Sequence, residues 1–363
     1  MTELETKLNQ IDALLKAQGL EALLLQKVSS FAWATCGAAS YVNTAVTDGA
    51  SSLLITPNGR YVLTNHIEAT RIEQEEKLAA QGWQMHAGEW YAAQDFVAEL
   101  AGKLKLGADG AYPQAKDLSG ELARLRANLT DEEGQRFRQL GKLCAQSMDQ
   151  AIRAVKPGMT ENQIAALLAR EAQSRGVQPI VNLIATDERI FKFRHPLPTD
   201  KKMARYAMLV LCGRRWGLVC SLTRLVHFGR LPAELQSKSL AVATVDATVI
   251  AETRPGRTLG EIFARTQAAY AEAGFPDEWK LHHQGGPAGY EPREYIATPG
   301  GKDVVNLGQA YAWNPSITGT KSEDTMLVGA AGNEILTPIP GWPVLTVEVG
   351  AMKVERPAIL EIA

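Results

Sequence analysis

Two segments of the sequence follow the same plan: a helix, a Pro-Gly pair, a second helix and then strand-forming residues. The first begins near Asn128 with a Thr–Asp–Glu–Glu helix start, reaches PGMT, and continues with a helix that Thr160 caps and Gly176 ends. The second is LQSKSLAVATVDATVIAETRPG followed by TLGEIFARTQAAYAEAG. Such a duplication predicts a pseudo-symmetric sheet covered by helices.

The first 110 or so residues have a different, strand-rich pattern. Apolar positions at helical spacing predict a helix over 3–18. We expect strands at EALLLQ, FAWATCG, SSLLITPNGRYVLT and WQMHAG, with PNG as a turn, and helices over 66–82 and 92–105. The chain is therefore predicted to be an α/β (α+β) protein with an N-terminal domain over 1–127 and a C-terminal domain over 128–363.

Composition excludes several classes of protein. The chain has 363 residues, 45% of them hydrophobic, which suffices for two cores. The formal net charge of −2 gives no reason to expect nucleic acid or an anionic membrane as partner. No apolar run approaches the roughly 20 residues of a membrane span, and the polar amphipathic N-terminus does not resemble a signal peptide. Four scattered cysteines without a CxxC pattern favour reduced thiols, and hence a cytoplasmic protein.

One predicted hairpin, LVLCGRRWGLVCSLTR at 209–224, has an unusual charge pattern. No Asp or Glu occurs from Lys201 to Ala233, although the chain has 40 acidic residues. The hairpin looks like part of an enzyme core, so the absence of acidic residues from it needs an explanation. Their absence bears directly on the chemistry that the chain can perform.

Five segments in this order resemble the pita-bread superfamily of methionine aminopeptidases, Xaa-Pro peptidases (prolidases) and creatinases. HPLPTDKKMARYAMLVL resembles the family's His–x–x–Pro segment, and GLVCSLTR its return strand, which commonly ends Asp–x–Thr–Arg. HHQGGPAGYEPRE resembles its His- and Gly-rich loop, QAYAWNPS its Glu–Pro strand, and KSEDTMLVGAAGNEILT its closing hairpin. Residues 1–125 look like the N-terminal domain of the prolidase-type and creatinase-type members.

The resemblance implies a two-metal site that this sequence largely lacks. The peptidase members hold two ions with Asp, Asp, His, Glu and Glu. The matching positions here are Cys212 (or Leu211, if the register slips), Ser221, Gly286, Asn314 and Glu323. We therefore expect no metal and no cofactor. A single ion held by His282, His283 and Glu323 stays open, although adjacent residues of an extended segment point to opposite faces.

Creatinase, the metal-free member that cleaves a C–N bond, suggests which residues act instead. The resemblance implies a catalytic His at His195 and a catalytic carboxylate at Glu323. It also implies a second Glu where this chain has Thr223, so creatine is not an expected substrate. His282 lies 12 residues before Glu294, the family's spacing for a loop His that touches substrate, and His283 is the alternative. An imidazole with a pKa near 6.5 can move a proton from water to a leaving nitrogen.

Further residues are candidates for binding the substrate. Arg224 and Arg293 could bind a carboxylate bidentately, which favours an anionic or neutral small molecule. Alternatively, Arg224 pairs with Glu323 or Asp324, and Glu323 with Arg224 or Lys321. The remaining candidates are Thr223, Asn314, Glu291 and Tyr290. The resemblance implies a homodimer in which His66 and Arg71 could reach the partner's site.

Three hypotheses follow for the function. The first is a metal-independent hydrolase of a C–N bond, amide or amidine, in a small polar metabolite, with His195 as general acid and base. The second is a non-catalytic descendant that uses the pocket for binding. The third is an Xaa-Pro-type metallopeptidase with rearranged ligands.

Overall fold

The computed structural model describes all 363 residues and divides them into two compact units. The first comprises residues 1–127 and 216–218, and the second residues 128–215 and 219–363. Helices and sheets are mixed throughout, which confirms the expected α/β (α+β) class. None of the helices combines the length and the apolar character that crossing a bilayer requires.

The first unit is built on one six-stranded sheet. Its helices are α1 (Glu3–Gln18), α2 (Val28–Ala34), α3 (His66–Arg71), α4 (Phe96–Ala101) and α5 (Ser119–Ala127). Its strands are β1 (Ala22–Lys27), β2 (Asp48–Thr56), β3 (Gly59–Asn65), β4 (Gln84–Gly88), β5 (Leu106–Ala108) and β6 (Lys116–Asp117). They lie in the order β4-β3-β2-β1-β5-β6, with β2 and β3 forming the hairpin predicted at PNG.

Three predictions for this unit are corrected. FAWATCG is not a strand, because its first four residues belong to α2 and the rest form a turn. All seven residues of α2 are buried, so the segment lacks the apolar–polar period that identifies a surface helix. The helix predicted over 66–82 breaks up into α3, a π-helical turn at Ile72–Glu76 and a 3₁₀ turn at Leu78–Gln81, and that over 92–105 shrinks to α4.

The second unit contains the two repeated helix pairs. Its helices are α6 (Asp131–Arg153), α7 (Glu161–Gln173), α8 (Glu188–Lys192), α9 (Ala233–Glu252) and α10 (Leu259–Glu272). The repeated pairs are α6–α7 and α9–α10. Thr160 and Thr258 each cap the second helix of a pair with a capping box. The Pro-Gly glycines before them, Gly158 and Gly256, both have φ of +87°, a left-handed conformation that favours glycine. The repeat in the sequence is thus a repeat of local geometry.

The second unit contains two four-stranded sheets and two separate strand pairs. Its first strands are β7 (Gln178–Thr186), β8 (Tyr206–Arg215), β9 (Leu218–Phe228), β10 (Gly285–Ala288) and β11 (Ala310–Trp313). Those that follow are β12 (Ser316–Ile317), β13 (Thr320–Lys321), β14 (Asp324–Gly329), β15 (Gly332–Ile335), β16 (Val344–Val349), β17 (Met352–Pro357) and β18 (Leu360–Ile362). One sheet has the order β18-β9-β8-β7 and the other β10-β11-β14-β15, while β12–β13 and β16–β17 form separate pairs.

The two sheets are joined where β9 meets the start of β14. Thr223 and Glu323 form an isolated bridge, with the Thr223 amide donating to the Glu323 carbonyl at 3.1 Å. The Ser221 amide donates to Thr325 Oγ1 at 2.8 Å, and that hydroxyl donates back to the Ser221 carbonyl at 2.9 Å. This junction fixes the side chains of β9 against those of the closing hairpin, and the candidate site lies there.

Candidate active site

Three histidines from distant parts of the chain converge in the second unit. His195 lies in the loop after α8, and His282 and His283 follow a 3₁₀ turn at Glu278–Leu281. One ring nitrogen of each lies within 4.8 Å of the others. His195 Nε2 and His282 Nε2 are 3.0 Å apart, a distance at which one nitrogen donates a hydrogen bond to the other. His195 is exposed and His282 is buried, so the pair links solvent to the interior.

The two adjacent histidines do not point apart, as an extended segment would make them. Their rings stack with centroids 4.4 Å apart and 27° between the planes. The chain bends at His282 and enters β10 only at Gly285, so the alternation of a strand does not apply here. Both rings therefore lie beside His195, with centroids 4.8 Å (His282) and 5.9 Å (His283) from its own.

All three imidazoles are held neutral at pH 7. Partial burial of its ring, followed by the positive charge of Lys321, lowers the pKa of His195 below its usual value. The same two causes lower the pKa of His282 to about 2. For His283, burial and then the charge of Arg293 lower the pKa to about 4. Neutral imidazoles have a free lone pair, so this cluster can accept protons or bind an electrophile.

Glu323 is fully engaged by its neighbours. Arg293 Nη2 donates to Oε1 at 3.0 Å, Thr223 Oγ1 donates to Oε2 at 2.5 Å, and Lys321 Nζ lies 2.8 Å from Oε2. Burial alone raises the pKa of Glu323, but the charges of Lys321 and Arg293 outweigh it and bring the pKa to about 2. This carboxylate holds two cations in place.

Lys321 is the site residue that we did not predict from the sequence, where it appeared only as a possible partner of Glu323. Its side chain is 6% exposed, and together with His282 it lines a small cavity between β13 and α8. The signal was the spacing of Lys321 and Glu323, since residues two apart in an extended segment share one face. Whether that face was buried depended on the junction of the two sheets.

Arg293 connects Glu323 to the acid-free hairpin. Its Nη1 donates to Ser221 Oγ at 3.2 Å, and that hydroxyl donates to Cys212 Sγ at 3.2 Å. Cys212 rather than Leu211 therefore lies at the site, which settles the register of β8. Burial raises the pKa of Cys212 to about 11, so its thiol stays protonated at pH 7.

Thr223 and Arg224 point to opposite sides of β9, as successive strand residues do. Thr223 contacts Glu323 in the site. Arg224 donates instead to Asp324 Oδ1 at 2.7 Å and to the Thr337 carbonyl at 2.9 Å. Asp324 also binds Arg356, whose guanidinium pairs with Asp246. Of the two expectations for Arg224, the pairing with Asp324 is the one found.

The other predicted binding residues lie around this cluster. Asn314 is buried, and its side-chain oxygen has no hydrogen-bond partner. The Tyr290 hydroxyl donates to Glu133 on α6 at 2.6 Å, and the Tyr290 amide donates to Glu294 at 2.8 Å, so both groups are already engaged within the protein. Glu291 is partly exposed. These positions leave Asn314 as the candidate best placed to meet a ligand.

His66 and Arg71 belong to the first unit. His66 is the exposed first residue of α3, which Asn65 caps. Arg71 ends that helix and forms ion pairs with Glu68 at 3.4 Å and Glu76 at 3.1 Å, and it donates to the Ala39 carbonyl at 3.2 Å. The arginine is thus already used within its own unit.

The residues at the metal-ligand positions do not fit a pair of divalent ions. The matching set contains a protonated thiol, a hydroxyl, an amide and no second carboxylate. Gly286 cannot be replaced by a ligand, because a Cβ there would lie 2.3 Å from the Tyr295 carbonyl oxygen. The only carboxylate, Glu323, is already neutralised by Lys321 and Arg293. Divalent ions need several carboxylates that are free to coordinate them.

Comparison with known proteins places this site in a family. The model of metallopeptidase family M24 matches residues 135–330. An uncharacterised peptidase of Staphylococcus saprophyticus is 24% identical over 234 residues, 61% of this chain and 65% of that protein. The agropine synthesis cyclase of Rhizobium rhizogenes is 31% identical over 141 residues, 36% of this chain and 35% of the cyclase.

The solved structures agree on the fold. The Xaa-Pro dipeptidase from Bacillus anthracis superposes with a TM-score of 0.78 at 18% identity, covering 99% of this chain and 100% of that one. This likeness confirms the pita-bread fold that the five sequence segments indicated. The matched region of the family model contains His195, His282, His283, Arg293 and Glu323. The chain belongs to metallopeptidase family M24.

Proposed function

We propose that this protein is a metal-independent hydrolase that cleaves a C–N bond, amide or amidine, in a small polar metabolite. Membership of a peptidase family supports hydrolysis. The observation that carries the finer proposal is the 3.0 Å contact between His195 Nε2 and His282 Nε2, beside a carboxylate that two cations neutralise. The site has groups for moving protons but no carboxylate that is free to bridge two metal ions.

In this proposal His195 is the general base and then the general acid. Its neutral imidazole takes a proton from water as the water oxygen bonds to the substrate carbon. It returns that proton to the nitrogen as the C–N bond breaks, so the amine leaves neutral. His282, at hydrogen-bond distance, orients the His195 ring. A catalytic proton transfer of this kind contributes about 10²- to 10⁴-fold in rate.

Substrate binding is proposed for three buried polar atoms of the second unit that have no hydrogen-bond partner. Arg293 Nε, Asn314 Oδ1 and the His283 Nδ1 atom are buried without hydrogen-bond partners. Buried polar atoms in that state are costly, so a ligand that satisfies them gains affinity. A donor such as Arg293 Nε favours an anionic or neutral substrate over a cation.

The cyclase relative supports chemistry other than peptide cleavage. The agropine synthesis cyclase is named for a ring-forming step, and it shares 31% identity with part of this chain. A pocket that activates an oxygen nucleophile against a carbonyl serves ring closure as well as hydrolysis. Small carboxylic metabolites with an internal hydroxyl or amine therefore belong in any substrate panel.

The two rival functions keep specific support. Three neutral histidines with nitrogens within 4.8 Å favour a single-metal peptidase as the second candidate. A binding protein without catalysis would need the unpaired polar atoms but no proton transfer. We further propose a cytoplasmic homodimer, with His66 of one subunit near the site of the other. A small molecule is the proposed partner, and neither nucleic acid nor a membrane is.

The deciding experiment is turnover by the full chain after chelator treatment and dialysis. Small amides, amidines and proline dipeptides are incubated with it, and amine or ammonia release is measured with and without Mn²⁺, Co²⁺ or Zn²⁺. Release of amine from a small amide or amidine without added metal, lost in His195→Ala, supports the proposal. Cleavage of dipeptides only when metal is restored would contradict the proposed function and support the metallopeptidase.

A further inference from the structure

Two cations and one carboxylate are buried together in the site. The side chains of Lys321, Arg293 and Glu323 are 6%, 7% and 3% exposed, and both cations bind the carboxylate. One negative charge cannot offset two positive ones. With the three histidines neutral, Lys321, Arg293 and Glu323 together carry a net charge of about +1.

The cations occupy the place where the family pattern has metal ligands. Arg293 contacts Ser221 and Glu323, two of the positions that match those ligands, and reaches a third, Cys212, through the Ser221 hydroxyl. Its guanidinium lies between these side chains, where a metal would have to be. Lys321 extends the same positive region toward His282, with which it lines a cavity.

We infer that Lys321, together with Arg293, supplies the fixed positive charge that two metal ions supply in metal-dependent members of the family, and that the pocket therefore excludes divalent cations. This inference deepens the proposed function and rests on it for the catalytic role. Lys321 has three N–H donors, of which Glu323 accepts one. A second can donate to the substrate oxygen on which negative charge develops as water adds to the carbon. Lys321 is then a catalytic residue of the reaction.

A series of charge variants tests the exclusion without any substrate. Zn²⁺ alone is titrated by calorimetry at pH 7 into metal-free full-length protein. The wild-type pocket, at about +1, is expected to bind no Zn²⁺ at micromolar concentration. Lys321→Met brings the pocket to about zero and should bind one ion at least about tenfold more tightly, through the three histidines. Adding Arg293→Met frees Glu323 as a ligand and should tighten binding again.

Two controls separate charge from shape. Lys321→Arg keeps the positive charge and should exclude Zn²⁺ like the wild type. Lys7→Met removes a buried lysine that pairs with Glu3 in the first unit, and it should leave Zn²⁺ binding unchanged. Circular dichroism confirms folding, and Lys321→Gln replaces Lys321→Met if the latter does not fold.

Tight binding of one Zn²⁺ by the wild type overturns the inference, and so does equal affinity in the wild type and the Lys321 variants. The titration involves no turnover, so failure of the substrate panel leaves its outcome intact. Conversely, suppose that the enzyme turns over an amide without metal but that Lys321→Met gains no affinity for Zn²⁺. The proposed function then stands, and only this inference is wrong.

Discussion

Lys321 and Glu323 form an ion pair of 2.8 Å whose side chains are 6% and 3% exposed. Arg293 binds the other oxygen of the same carboxylate at 3.0 Å. An ion cluster this deeply buried is favourable only while its partners remain together, because an unpaired buried charge has lost its hydration. The cluster therefore links the stability of the second unit to the electrostatics of the site.

Glu323→Gln should destabilise the protein by about 3–5 kcal/mol, because it leaves two buried cations without a counterion. The free energy of unfolding from urea denaturation measures the loss. Glu334→Gln is the matched control: it breaks an ion pair with Arg138 at 2.9 Å, but both side chains are nearly half exposed. That change should cost about 0–1 kcal/mol. Equal losses in the two variants would contradict the idea that burial makes the Glu323 cluster critical.

His195→Ala should reduce kcat/KM by about 100-fold or more while leaving stability nearly unchanged. The residue is exposed, so truncation creates no cavity, but it removes the proton carrier. Steady-state kinetics on any substrate found in the panel, together with thermal unfolding, separates the two effects. His86→Ala removes an imidazole from the first unit and should leave kcat/KM within twofold. Full activity in His195→Ala would show that another group carries the proton.

The activity should rise with pH through a pKa below 6.5. Burial and the charge of Lys321 lower the pKa of His195, and only the neutral ring is a base. Activity is thus low where the imidazolium dominates and rises as the pH passes the lowered pKa of His195. Lys321→Met removes the nearby cation. This should raise the pKa of His195 and shift the rising limb of the pH–kcat/KM profile to higher pH. A rising limb above pH 7 in the wild type would contradict a general base with a lowered pKa.

The stability should fall as the pH drops from 6.5 to 4.5. In the unfolded chain His282 and His283 bind protons below pH 6.5, whereas in the folded chain their pKa values are about 2 and about 4. The unfolded state therefore binds up to two more protons in this window, and each contributes a slope of about 1.4 kcal/mol per pH unit. Glu323, with a folded pKa of about 2, affects stability only below pH 4.5. Urea denaturation across this range measures the slope, which His282→Gln should reduce.

Cys212→Ala should leave kcat within about threefold and cost roughly 1–2 kcal/mol of stability. Its thiol is buried and its pKa is raised to about 11, so almost no thiolate exists at pH 7. Iodoacetamide should not inactivate the native enzyme for the same reason. Rapid inactivation with labelling at Cys212 would point to a thiol nucleophile instead.

Local physics explains why much of the fold is predictable. Each capping box, at Thr130, Thr160 and Thr258, needs only a Thr and an acceptor side chain three residues later. The β2–β3 turn likewise depends on a Pro-Asn-Gly sequence. Helix α2 was missed because it is buried all round, so its pattern contains no period. Residues that are distant in sequence decide that α2 is buried, so the local sequence does not contain the information needed to predict this helix.

The sequence by itself determined the pita-bread fold, the loss of the metal-ligand carboxylates and the presence of His195, His282 and Glu323 in one site, because these depend on short patterns of residue types. Only the tertiary structure decided which charges meet. The bend at His282 places two adjacent rings beside His195. At the junction of β9 with the closing hairpin, Glu323 forms ion pairs with Lys321 and Arg293. Arg224 pairs with Asp324 instead. Whether Arg224 pairs with Glu323 or with Asp324 depends on distances of a few ångströms between two segments about 100 residues apart, and no local pattern encodes them.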